Sequence, residues 1–247
     1  MAFSGDDDED ILDHVRRHQE LLAGRPRPQL PQHQPEMLYI GCVDARLDPI
    51  ADIGIEKGKA LILRNIAALV PKGHDSGTSM ELHAAIASGE IPQNASIGAV
   101  LEFFLNHIPQ KPGKIKHIVV SGHTDCGGLK TCQQGHFAES DHYLPQYLGT
   151  LKEVMAQVML KAKSLLWGKD QELHGLEEES VRQSVANLRT YPAVREAMEK
   201  GTLQVHGWVI DTATQRVNEL NADTQQFEPM VHAAGHGTIT GTGTDRA

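Results

Sequence analysis

An α/β fold with a central, mostly parallel sheet is predicted by three observations along the 247 residues of this chain. Three short runs, "MLYIG" (37–41), "KALILRN" (59–65) and "HIVVSG" (117–122), are apolar nearly throughout, as parallel strands covered on both faces must be. Segments with helical periodicity separate and follow them. Near the end, "LQVHGWVID" (203–211) and "TQRVNELN" (214–221) read as two strands joined by a tight turn, which adds an antiparallel edge. Helices flank the sheet, and a helical arm precedes it.

In chain order, "DEDILDHVRRHQELLA" (8–23) carries Ile11, Leu12, Val15, Leu21 and Leu22 near helical spacing behind an acidic start, which suits a helix N-terminus. The stretch "GRPRPQLPQHQP" (24–35) holds four prolines and reads as an extended connector. Residues 1–35 are thus an N-terminal helical arm and Pro-rich connector. Within an α/β domain at 36–227, "NASIGAVLEFFLNHI" (94–108) predicts one helix. In "LKEVMAQVMLKAKSLLW" (151–167), Leu151, Val154, Met155, Val158, Met159, Ala162, Leu165 and Leu166 share a stripe, with the Met pair as core filler. "EESVRQSVANLRT" (178–190) predicts a further helix, followed by Pro192 and a short one. The remainder, 228–247, ends in the Gly- and Thr-rich "HAAGHGTITGTGTDRA", which has little to bury and is expected to be disordered.

Composition narrows the function. The formal charge is −9, and no Lys/Arg stripe appears, so neither nucleic acid nor an anionic membrane surface is an expected partner. The most apolar run, "ALILRNIAALV" (60–70), is split by Arg64 and Asn65 and falls short of a spanning helix. The N-terminal "MAFSGDDDED" is acidic where an export signal would be basic, and three cysteines leave an odd thiol. Both features lead to the expectation of a cytoplasmic protein with its thiols reduced.

Two strand ends concentrate the chemistry. "GCVDARLDP" (41–49) closes the first strand with a cysteine, an aspartate and an arginine on alternate positions. "SGHTDCGGL" (121–129) closes the third with His123 and Cys126 in a glycine-flanked turn. Carboxyl ends of parallel strands are where open α/β sheets bind ligands. Cys42 with His123 and Cys126 forms a Cys₂His set, a three-ligand zinc site that leaves one tetrahedral position open. A single cysteine is most often a small buried hydrophobe, and a lone H-x-x-C says little. The joint pattern at two strand ends carries the metal reading, with Cys132 as the spare thiol.

"CVDAR" and "GHTDCGG" together resemble the signature of the β-class carbonic anhydrases. The likeness extends through "ILRNIAALVP" (62–71) and "SVANLRTYPAVREAMEKGTLQVHGWVID" (184–211), covering residues 8 to about 221. The resemblance implies Zn²⁺ held by Cys42, His123 and Cys126, with Asp44 and Arg46 as the catalytic dyad. The implied reaction is reversible hydration of CO₂ to bicarbonate and a proton, by zinc-bound hydroxide attacking CO₂. Asp44 would take a hydrogen bond from the hydroxide and aim it, and Arg46 would keep Asp44 ionised and in place. In some members the aspartate instead swings onto the zinc and closes the site. The resemblance also implies a homodimer or a dimer-based higher oligomer, clasped by N-terminal helices, with the zinc at the dimer interface.

The chain departs from the family pattern in several places. Ala45 stands where Ser is common, a change with little consequence since an Ala variant also occurs in the family; Ala68 stands where Asn is common, and that change is expected to loosen local hydrogen bonding. Glu56 stands where plant members carry a bicarbonate-contacting Gln. An unprotonated Glu would repel that anion, so no such role is carried over. Phe103 stands where many members have a Tyr near the CO₂ pocket; ordinary core packing is its simpler role. Residues 72–93 are longer than expected and read as a lid or interface flap. His74 and His83 there are candidate proton shuttles, though surface histidines are the plainer reading. Two alternatives stay open: hydrolysis of COS or CS₂ with the same ligands, and an inactive zinc-bearing structural or sensing relative, against which the presence of both Asp44 and Arg46 counts. A zinc deaminase is disfavoured because the H-x-E and P-C-x-x-C elements are missing.

Overall fold

A computed structural model describes residues 10–23, 25, 32–73 and 95–231. The chain divides into two compact units, residues 1–32 and 33–247. The first holds helix α1 (Ile11–Ala23), which has an acidic first turn and no buried residue. The connector expected at 24–35 lies largely outside the described residues, and so do His74, His83, nearly all of the 72–93 segment and all of the tail from 232.

The second unit is built on one six-stranded sheet. Its strands are β1 (Met37–Cys42), β2 (Ala60–Asn65), β3 (Lys116–His123), β4 (Leu203–Ile210), β5 (Val217–Leu220) and β6 (Phe227–Pro229), in the order β2-β1-β3-β4-β5-β6. The first four are mutually parallel and the last two add an antiparallel edge. The predicted fold class is the observed one. Because β1 and β3 are neighbours in parallel register, with Gly41 opposite Ser121, their carboxyl ends meet.

Helices pack on the sheet, whose inner strands β1 and β3 are buried on both faces. Leu38 and Ile40 of β1 and Ile118 and Val120 of β3 point to one face and are fully buried. There they pack against α3 (Ala95–Glu102), α7 (Lys169–Leu188) and α8 (Pro192–Glu199), through Leu101, Val181, Val185, Leu188 and Val194. Each such side chain contributes about 1.5–3 kcal/mol by leaving water. Glycine lets α7 come close: a Cβ on Gly122 would lie 2.6 Å from Cγ2 of Val181, and one on Gly207 would lie 3.0 Å from its Cγ1.

Some elements differ from expectation. The 94–108 helix is α-helical only to Glu102 and runs on as a π-helical turn, Phe103–His107. Its end is set by buried Lys116, whose Nζ donates to the carbonyls of Phe104 and Ile108, both at 2.6 Å. That places a cation on the orphan carbonyls of a helix C-terminus. Phe103 is 48% exposed, so core packing is not its role. The 151–167 stripe becomes α6 (Lys152–Leu165), preceded by a 3₁₀ turn, Gly149–Leu151. It buries Leu151, Val154, Val158 and Ala162, packs Met155 partly against the same cluster, and leaves Met159, Leu165 and Leu166 exposed. Helix α7 starts at Lys169, nine residues ahead of the expected 178. Helices α2 (Pro49–Asp52), α4 (Gly127–Gln134) and α5 (Tyr143–Leu148) complete the unit. Among the described residues, no helix is long and apolar enough to cross a membrane.

Candidate metal centre

Cys42 is the last residue of β1 and His123 the last of β3, and Cys126 is the N-cap of α4. Their ligand atoms all lie within 4.8 Å of one another, and all three residues are buried. No other group of three or more His, Cys, Asp or Glu among the described residues is so placed. The sheet therefore gathers side chains that are far apart in sequence, at the edge where parallel strands end.

The donor atoms suit a metal. Nδ1 of His123 lies 2.9 Å from the Thr124 carbonyl oxygen. A carbonyl only accepts, so Nδ1 carries the proton and Nε2 is left with its lone pair. That Nε2 is buried and has no hydrogen-bond partner, a costly arrangement unless something else binds it. Two thiols and one imidazole nitrogen form a soft, three-point set that fits zinc and leaves a fourth position open.

Electrostatics point the same way. Cys42 is drawn down to about 4: hydrogen bonding with Cys126 is the largest cause, burial opposes it, and His123 and the Asp44 and Ala67 amides assist. Cys126 moves upward, because its proton is held toward the Cys42 thiolate and because it is buried. Burial works against a charged His123, but the Cys42 thiolate outweighs it and raises the imidazole. A divalent cation bound by these groups would require both thiols as thiolates and the imidazole nitrogen unprotonated, and would take the place of their protons.

Asp44 and Arg46 form a bidentate pair beside the cluster. Arg46 Nε donates to Asp44 Oδ1 at 2.9 Å and Nη2 to Oδ2 at 2.7 Å, while the Arg46 amide also donates to Oδ1 at 3.0 Å. These bonds hold the Asp44 carboxyl well below the usual carboxylate range. Its Oδ2 lies 3.8 Å from His123 Nε2, so an ionised oxygen stands next to the ligand atoms while remaining engaged with Arg46. The Arg46 side chain also reaches Asp125, with Nη1 on Oδ2 at 2.8 Å and Nη2 on the carbonyl at 3.0 Å.

Three side chains that sequence reasoning missed shape the site. Arg64 of β2 donates to the Cys42 carbonyl at 2.7 Å and to the Asp44 carbonyl at 2.6 Å, clamping the loop that carries both. Asp125, between His123 and Cys126, pairs with Arg46 and with Lys130. Glu177 of α7, only 2% exposed, accepts from the Cys126 backbone N–H at 3.2 Å. In the sequence, Arg64 is an interruption of an apolar run. Glu177 lies on the stripe of Leu173, Leu176, Val181 and Leu188, and an acid on a buried stripe is the signal that marks it.

Backbone strain gathers here as well. Ala67 and Ala68 both have positive φ, 60° and 53°, in the 3₁₀ turn Ile66–Ala68 that follows β2. Non-glycine residues adopt that region at a cost of about 1–2 kcal/mol. The Asn65 side chain supports the turn by donating to the Leu69 carbonyl at 2.9 Å. Ala68 is thus held by burial and backbone, without a polar side chain. Glu56 lies exposed in the loop before β2.

A family model described as carbonic anhydrase matches residues 37–217. A carbonic anhydrase of Pseudomonas aeruginosa is 28% identical over 236 residues, covering 92% of this chain and 96% of that protein. A β-carbonic anhydrase structure from Aspergillus fumigatus is 28% identical with a TM-score of 0.60, covering 85% of each chain. A tetrameric β-carbonic anhydrase from Sordaria macrospora is 25% identical with a TM-score of 0.60, covering 85% of this chain and 92% of that one.

Proposed function

This chain belongs to the β-class carbonic anhydrase family and is a carbonic anhydrase; on that premise we propose that it hydrates CO₂ reversibly to bicarbonate and a proton, with Cys42, His123 and Cys126 holding zinc and Asp44 and Arg46 as the catalytic dyad. The observation that carries the reading is the buried Cys42–His123–Cys126 cluster with the partnerless Nε2 of His123 at its centre. Zinc bound there supplies Lewis acidity that makes water a nucleophile at neutral pH.

The chain's own residues do the rest. Asp44 stays ionised because Arg46 binds both of its carboxylate oxygens. It therefore accepts a hydrogen bond from the nucleophile and directs an oxygen lone pair toward the CO₂ carbon. Arg46 keeps both Asp44 oxygens engaged, so the carboxylate stands beside the Cys42–His123–Cys126 cluster and does not join it. Leu47, Ala67, Leu129, Leu148 and Ile210 form the apolar cluster in which Cys42 and Cys126 sit, surroundings suited to an uncharged substrate and to strong local electrostatics.

The enzyme assembles as a homodimer or a dimer-based higher oligomer. The tetrameric relative of Sordaria macrospora supports this, and so does α1, whose apolar residues include Ile11 and Leu21 and none of which is buried. A cytoplasmic setting is part of the same reading, since reducing conditions keep Cys42 and Cys126 free for a metal.

The test is stopped-flow CO₂ hydration across pH on protein of measured zinc content. Turnover that rises with pH at one zinc per chain is expected. No turnover at any pH with full zinc occupancy would overturn the reading.

A further inference from the structure

We propose that Asp125 is a positioning residue for the hydration reaction: it holds the Arg46 guanidinium so that Arg46 can hold Asp44. The inference rests on the roles assigned to Asp44 and Arg46 above. It follows from how Arg46 is gripped and from where its second partner sits.

The Arg46 side chain is 48% exposed. A half-exposed arginine paired with a single carboxylate gains little and keeps much of its rotamer freedom. Here the planar fork is engaged from two sides. Nε and Nη2 bind the two oxygens of Asp44, while Nη1 binds Asp125 Oδ2 at 2.8 Å and Nη2 binds the Asp125 carbonyl at 3.0 Å. Two carboxylates and a carbonyl leave a guanidinium one orientation in which all of these bonds are made.

Asp125 is itself anchored. Its other carboxylate oxygen pairs with Lys130 of α4. Its backbone lies between two ligand-set residues and is held at φ 62°, a left-handed conformation that aspartate tolerates better than most residues. Lys130, Asp125, Arg46 and Asp44 therefore form a chain of alternating charge from α4 to the dyad. Through it the His123–Cys126 turn sets the orientation of a side chain borne by the other strand end. Without Asp125, the dyad would rely on its own loop alone, and small displacements of a reacting group are costly in rate.

Asp125→Gly tests this, because it removes the carboxylate while accepting a positive φ, and Asp125→Asn keeps an acceptor oxygen. Both are compared at matched zinc content, in the native background and with Arg46→Ala. We expect Asp125→Gly to lower kcat by about tenfold with KM within about twofold, and Asp125→Asn to recover most of the loss. With Arg46 already replaced, the same Asp125→Gly change should alter kcat by less than about twofold. Native kcat in Asp125→Gly, or an equal fall in both backgrounds, would overturn the inference. If Asp125→Gly loses zinc, Lys130→Ala takes its place, with a fall in kcat expected only where Arg46 is present and an equal effect in both backgrounds counting against the proposal. Absent hydration in the native, zinc-replete protein would overturn the preceding reading and this one together, whereas an active native enzyme with an indifferent Asp125 overturns this one alone.

Discussion

Cys42, Cys126 and the partnerless imidazole nitrogen of His123 lie together in one buried cluster, an arrangement that is costly unless a cation binds it. Replacing Cys42 with Ser should therefore lower bound zinc from about one per chain to a small fraction of that, with turnover lost in parallel, as read by elemental analysis alongside stopped-flow. Asp44→Asn separates binding from chemistry: zinc content should stay at the native level while kcat falls by about 10²-fold or more. Equal rates for native and Asp44→Asn proteins would remove the role given to the carboxylate. The Cys42–His123–Cys126 cluster was legible because each half is a short motif at the end of an apolar run. Arg64, Asp125 and Glu177 were not, since each gains its meaning from a partner far away in the chain. Arg46 and Asp125, for example, are separated by 79 positions.

Strands were legible where burial on both faces makes a run wholly apolar, and their observed ends fall within one or two residues of those expected for β1, β2 and β3. The 214–221 strand starts only at Val217, after a turn in which Asp211 Oδ1 accepts from the Ala213 and Thr214 amides. Helix α7 was half hidden because its first turns are polar, a pattern tolerated there because Lys169 pairs with Glu172 and His174 with Glu177 and Glu178. The three residues of β6, which include a proline, carry no pattern at all. Helix α6 ends on Leu166, which takes a left-handed conformation (φ 53°) while 90% exposed. Leucine gains almost nothing there and bears the strain of a position that suits glycine. Leu166→Gly should stabilise the protein by about 0.5–1 kcal/mol, seen as a rise in Tm of about 1–3 °C.

Across the whole second unit, stability depends on how closely α7 lies on the sheet. Gly122 sits beneath Val181 with no room for another carbon. Gly122→Ala should cost about 1–3 kcal/mol, read as a lower urea midpoint with an unchanged slope. An unchanged midpoint would mean that α7 can lift without penalty. The strand order carries a further consequence. β1 and β3 are neighbours in the sheet, yet the chain builds β2 and α3 before returning, so a metal held by Cys42 and His123 would bridge a segment of roughly 80 residues and act as a long-range staple on the unfolded chain, worth about 4–5 kcal/mol if it behaves as a covalent cross-link does. His123 and Cys126, by contrast, are near neighbours whose joining restricts almost nothing. Capture by this local pair is therefore entropically cheap and can come early, whereas engagement of Cys42 must wait until the first and third strands have found each other. Metal uptake would then report the completion of the parallel sheet, and chelation would remove that long-range constraint.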